Sequence, residues 1–196
     1  MIHELILRYP QLKVCEADVV GAKNAMVKTY RQGGKILLCG NGGSAADCDH
    51  IAGELLKGFR SLRPVTDETI PEDLRAKLQG SLPAVSLHSA SAAMTASLND
   101  LDPNMVYAQM LHGLGEKGDL LIALSTSGNA QNVCNAARLA RAKGLTVIGL
   151  TGEKGGKLKE LSDLCICVPE TETYKVQELH LPVYHYLCAQ TEQELF

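Results

Sequence analysis

The sequence has no tryptophan, and aromatic residues make up only 4% of its 196 positions. Positive charge is not in excess either: 19 Lys and Arg stand against 22 Asp and Glu, for a net charge of -3 and a pI of about 6.1. No basic field exists to hold a polyanion, so nucleic-acid binding gains no support, although scattered lysines suffice for one phosphate. No apolar run approaches the ~20 residues of a membrane-spanning helix. The opening Met1-Ile2-His3-Glu4 lacks the basic cluster of a secretory signal. There is no Cys-x-x-Cys, and the seven cysteines are odd in number. Most, such as Cys39, Cys165 and Cys167, sit inside apolar runs, as reduced core-filling thiols do in a reducing compartment. These absences lead to an expectation of a cytoplasmic protein without membrane or nucleic-acid partners.

What is present is an alternation. Leu12, Val19, Ala22, Met26 and Val27 recur near helical spacing and predict a helix over 11–32, stopped by Gly33-Gly34. Short apolar runs at 35–39, 84–87, 119–124, 145–150 and 164–168 read as strands, without the polar alternation of a solvated face. Helical patterns separate them, and a last one covers 173–194, where Pro182 predicts a kink or a late start. The pattern predicts an α/β fold: a doubly wound, five-stranded parallel sheet flanked by helices, flavodoxin- or Rossmann-like, with an N-terminal helical extension at 1–33. Residues 61–82 are polar, contain Pro64 and Pro71, and read as a surface insertion or lid. With no repeat, low-complexity tract or linker, the whole of 1–196 reads as a single domain.

Ligands in such sheets bind at the carboxyl ends of the strands, and two loops there have the composition for it. After the first strand comes Gly40-Asn41-Gly42-Gly43-Ser44, whose glycines admit positive φ and close backbone approach, while Ser44 is placed to cap the next helix. A tight turn with no ligand is the plain alternative. After the third strand comes Ser125-Thr126-Ser127-Gly128-Asn129. Its run of hydroxyls adds neutral donors to the N–H groups of a helix start, a set that holds a phosphate without any lysine. His50 and Glu54 stand four apart on one helix face; Gln177, His180 and His185 share the last helix. Gln177 and His185, eight apart, are rotated by ~80° from alignment but can still converge beside the helix. A surface ion pair and ordinary helix-face polars are the alternative for these groups.

The stretch CGNGGSAADCDHIAGE at 39–54, Asn99-Asp100, STSGN at 125–129 and VQELHLPVYH at 176–185, in this order, resemble the SIS (sugar isomerase) family and within it the phosphoheptose isomerases. The match runs from about Gly34 to Cys188. The resemblance implies the SIS fold and an aldose–ketose isomerase that converts sedoheptulose 7-phosphate to D-glycero-D-manno-heptose 7-phosphate through an enediolate. It implies Glu54 as base and His185 as acid. It also implies one zinc ion per active site, on His50, Glu54, Gln177 and His185, and sugar-phosphate contacts from Asn41, Gly42, Gly43, Ser44, Glu54, Asn99, Asp100, Ser125, Thr126, Ser127 and Gln177. A homotetramer with interfacial active sites is implied too, with the 11–32 helix as one source of contacts, and Asp47 falls on a family position as a supporting residue.

The chain departs from the family in three places. Ala130 stands where a phosphate-holding serine is usual, 64–82 is longer, and Tyr174 replaces a polar or acidic residue. These keep two alternatives open: an isomerase of another ketose phosphate, and a non-catalytic SIS module that binds sugar phosphate or protein. The retained His50, Glu54, Gln177 and His185 weigh against the module.

Overall fold

The computed structural model describes residues 2–196; Met1, the first residue of the expected extension, lies outside the described residues. The five apolar runs form β1 (Ile36–Cys39), β2 (Ala84–Ser86), β3 (Leu120–Leu124), β4 (Thr146–Thr151) and β5 (Leu164–Cys167). All pair in parallel, in the order β2-β1-β3-β4-β5. Alternate residues of each strand enter opposite layers, which is why both sets are apolar. Ile36, Leu38, Leu120, Ile122, Ile148 and Leu150 pack into one core. Leu37, Cys39, Leu121, Ala123 and Val147 pack into the other.

The first layer is built by α1 (Ile2–Arg8), α2 (Glu16–Arg31), α3 (Gly43–Leu56) and α9 (Thr173–Leu195). The second is built by α6 (Val106–Leu114), α7 (Gln131–Ala142) and α8 (Gly156–Leu161), with α5 (Ser91–Asp100) at its margin. The segment predicted as one helix over 11–32 is a 3-10 turn, Pro10–Cys15, followed by α2, and α1 precedes it. α2 spends its apolar stripe on α9 and β5 of this chain, burying Val19, Ala22, Met26 and Val27. The late start considered at Pro182 does not occur: α9 runs from Thr173 to Leu195 through it, without the N–H that would bond the Glu178 carbonyl. All seven cysteines are free, five of them buried.

The polar insertion contains one short helix, α4 (Glu72–Arg75), and a bridge between Pro64 and Gln79. It is fastened by Arg63, which is fully buried and has positive φ (44°). Its guanidinium donates to Glu192 Oε1 on α9 (2.7 Å) and to the carbonyls of Leu55 (2.6 Å) and Glu54 (2.9 Å) at the end of α3. Those carbonyls are orphans of a helix C-terminus, so Arg63 both caps α3 and locks it to α9. Asp119 ties together the amino ends of β1 and β3, accepting from the Lys35 N–H (2.9 Å), Lys35 Nζ (2.7 Å) and the Glu116 N–H (2.8 Å).

Candidate functional site

β1 and β3 are neighbours, with Cys39 level with Ala123, so the two glycine- and hydroxyl-rich loops leave the same edge side by side. Strand order reverses there, and this opens the crevice of a doubly wound sheet. In the first loop Gly42 has φ 56° and ψ -123°, a conformation that a Cβ would strain. α3 therefore begins at Gly43, with Gly42 in the capping position. Ser44 does not cap it: its side chain is buried inside the helix, and its N–H bonds the Asn41 carbonyl (3.0 Å).

The Asn41 amide is held across the crevice. It donates to Asn132 Oδ1 on α7 (3.0 Å) and accepts from Asn132 Nδ2 (2.9 Å). Tyr107 of α6 donates to Asn41 Oδ1 (3.1 Å) and also bonds the Gly40 carbonyl. Much of the hydrogen-bonding capacity assigned to substrate thus serves to set the distance between the loops.

In the second loop Ser125 Oγ accepts from the Ala130 N–H (3.4 Å), and Ser127 Oγ accepts from the Asn129 N–H (3.1 Å). Both hydroxyls act as acceptors, so each O–H stays able to donate to an anion. Ala130 is the N-cap of α7 and offers no side-chain cap. Gly128 has φ 67°, and a Cβ there would fall 1.9 Å from the Gly155 carbonyl oxygen, so only glycine fits.

At the far end of α3 a second group gathers. Glu54 Oε1 lies 3.1 Å from His50 Nε2, and His185 Nε2 of α9 lies 3.4 Å from the same nitrogen. His50 and Glu54 meet by their i,i+4 spacing; His185 joins because α9 packs along α3. The other face of the His50 ring, Nδ1, is 3.0 Å from the Tyr184 hydroxyl, which donates to Asp47 Oδ1 (3.2 Å). Tyr184 and Phe59 wall the rings, their centroids 5.1 and 5.6 Å from that of His185. Burial, then the neighbouring His50, hold the His185 imidazole below its ordinary value. Burial pushes the Asp47 carboxyl up, and burial followed by the Asp47 charge pushes the Tyr184 phenol up. A cavity of about 460 Å³ adjoins this end, lined by Arg8, Tyr9, Phe59, Arg60 and His185 among others.

Gln177 does not converge with His185. Its amide lies against Gly43, where a Cβ would come within 2.6 Å of Nε2. Eight residues of helix put the two Cα atoms ~12 Å apart along α9, and those of Gly43 and His50 are ~10 Å apart along α3. The crevice therefore has a loop end with Gln177 and an imidazole–carboxylate end. Asn99 and Asp100 stand exposed at the end of α5, bonded to each other (2.7 Å) and not, among the described residues, to either end. His180 turns the other way: it is fully buried and bonds the Thr151 carbonyl (3.3 Å).

The spacing of the second group suits a metal ion. Ligand atoms on a tetrahedral zinc with 2.0–2.1 Å bonds lie about 3.3 Å apart, and the separations here are 3.1 and 3.4 Å. Both contacts run through His50 Nε2. Among the described residues no three His, Cys, Asp or Glu side chains are already closed around one point to hold a metal. Sequence reasoning left out Tyr184, Asn132 and Tyr107. Tyr184 lies on the buried stripe of α9, where a polar-tipped ring needs a partner; for Asn132 and Tyr107 no local signal exists.

Residues 11–152 match the SIS domain family. A phosphoheptose isomerase from Roseiflexus sp. (strain RS-1) is 40% identical over 91% of this chain and 82% of its own. One from Burkholderia pseudomallei (strain 1710b) is 41% identical over 92% and 83%. The solved phosphoheptose isomerase of Neisseria gonorrhoeae superposes with a TM-score of 0.80 at 32% identity, covering 97% of this chain and 94% of that one. That of Francisella tularensis gives 0.80 at 28% identity, covering 95% and 91%.

Proposed function

The chain belongs to the SIS domain family and, within it, to the phosphoheptose isomerases, and from that premise we propose that it interconverts sedoheptulose 7-phosphate and D-glycero-D-manno-heptose 7-phosphate. The observation that carries this reading is the division of the crevice. The glycine- and hydroxyl-rich loops lie at one end and the His50, Glu54 and His185 group at the other, about two helical turns apart. A sugar of several carbons with a terminal phosphate has that reach; with its phosphate on Ser125, Thr126 and Ser127, its carbonyl end lies at the imidazoles.

Isomerisation moves a proton from C1 to C2 of the ketose while the carbonyl moves the other way. Glu54 is the base. Its Oε1 faces His50, leaving Oε2 to take the C1 proton and return it to C2. His185, with a depressed pKa, shuttles the proton between the two oxygens. Gln177, Asn41 and the Gly42-Gly43 backbone hold the hydroxyl-bearing carbons, and Asn99-Asp100 closes the open side. His50, His185 and Glu54 are the residues that would hold a zinc ion, two imidazoles and a carboxylate being ordinary zinc donors. Bound there, zinc would supply Lewis acidity toward the carbonyl and hydroxyl oxygens.

We further assign a homotetramer with interfacial sites, working in the cytoplasm. α5 supports the association: Ser97 is its one buried residue, and Leu98 and Leu101 are 45% and 48% exposed. The test is incubation of the zinc-loaded protein with sedoheptulose 7-phosphate, with the aldose followed by chromatography. Conversion is expected. Tight binding of the sugar phosphate without conversion would reduce the protein to a binding module, and faster conversion of another ketose phosphate would reassign the substrate.

A further inference from the structure

We propose that Tyr184 is a positioning residue that holds His50 in its Nδ1–H tautomer and keeps the Nε2 lone pair turned toward Glu54 and His185. The argument is a count of protons. The Tyr184 hydroxyl has one, and it lies 3.2 Å from Asp47 Oδ1 and 3.0 Å from His50 Nδ1. An ionised carboxylate only accepts, so the phenol donates to Asp47 and its oxygen takes a proton from Nδ1. The reverse assignment would strip Asp47 of its side-chain donor. Among the described residues Asp47 Oδ2 is already buried without a partner, and a carboxylate left with none costs more than a rotated imidazole.

The ring cannot drift to another partner. Tyr184 is 1% exposed and stands edge-on to both imidazoles, at 5.3 Å from His50 and 5.1 Å from His185. The consequence appears on the far side of His50. A bare Nε2 at 3.1 Å from a carboxylate oxygen and 3.4 Å from a second ring nitrogen is an acceptor facing an acceptor on the Glu54 side. That pair is relieved by a proton on the His185 nitrogen or by a cation. Asp47 and Tyr184 therefore keep an acceptor cluster loaded from behind, as carboxylates behind metal-bound histidines do. The inference rests on the proposed reading only for this use; the tautomer belongs to the metal-free chain.

Long-range 1H–15N correlation spectra of the 15N-labelled, metal-free protein decide the matter. The wild type should show His50 protonated at Nδ1 and bare at Nε2. Tyr184→Phe should shift His50 toward Nε2–H, now donating to Glu54, and weaken zinc binding by about 10–100-fold in competition with a chromophoric chelator. Asp47→Asn, which keeps an acceptor for the phenol, should preserve the wild-type tautomer. An Nε2–H signal in the wild type overturns the proposal without any variant, as does a Tyr184→Phe protein with unchanged spectrum and zinc affinity. If the tautomer is as stated but no heptose phosphate turns over, the catalytic reading fails and this one stands.

Discussion

Replacing Arg63 with Met tests how the insertion, α3 and α9 are held together. The guanidinium is fully buried, and its partner Glu192 is 2% exposed. Without it, Glu192 keeps, among the described residues, the N–H groups of Phe59 (2.9 Å) and Arg60 (2.8 Å), the Glu54 carbonyl loses its donor, and the Leu55 carbonyl is left with the Leu82 N–H (3.0 Å). Breaking a buried pair from one side costs about 3–5 kcal/mol, a fifth or more of the ~5–15 kcal/mol by which a domain is stable. With a urea slope of about 2 kcal/mol/M, the midpoint should fall by about 2 M at fixed protein concentration. Removing both charges, as in Arg63→Met with Glu192→Met, leaves no stranded carboxylate, so the double variant should be more stable than Arg63→Met alone. Glu192 also sets the pH response. Burial raises its pKa, but the Phe59 and Arg60 N–H groups and Arg63 outweigh this and hold it low, so its contribution is present above pH 4.5 and lost on acidification. A double variant no more stable than Arg63→Met would refute the reasoning.

Three further outcomes follow from single residues. Burial lowers the His180 pKa to about 4, while the unfolded chain protonates near 6.5. Stability from this residue is therefore intact above pH 6.5 and falls by about 3 kcal/mol by pH 4, and His180→Gln should flatten that limb in urea melts of metal-free protein. Gly43→Ala places a methyl 2.6 Å from Gln177 Nε2 and must displace the amide; thermal stability should change by less than about 1 kcal/mol while KM for the sugar phosphate rises. Asn132→Ala removes the two bonds that tie Asn41 across the crevice. At about 1 kcal/mol each, KM should rise by about tenfold or more with less change in kcat.

The strands were legible because burial on both faces leaves an unmistakable mark: Leu120 to Leu124 are all buried, and none of the five is polar. The loops were legible because only glycine tolerates the backbone of Gly42 and Gly128. What escaped depends on strand order. Asn41 and Asn132 are 91 residues apart and meet only because β1 lies beside β3, a fact no local pattern contains. The end of α3 escaped for the same reason, since Arg63 reaches back to it from a segment that reads as a polar loop. On α9 periodicity held more than was drawn from it. His180 shares the buried stripe of Val176, Val183 and Leu187, whereas Gln177, Leu181 and His185 mark the other face. The interval of eight residues between Gln177 and His185 already carries their spacing of about two turns along one helix.

The most direct measurement is solvent isotope exchange. Zinc-loaded protein in D2O should convert sedoheptulose 7-phosphate to an aldose carrying deuterium at C2, read by proton NMR. Glu54→Gln should bind the sugar phosphate yet slow this incorporation by about 10²–10⁴-fold, the usual contribution of a positioned base. Undiminished incorporation by Glu54→Gln would contradict the account.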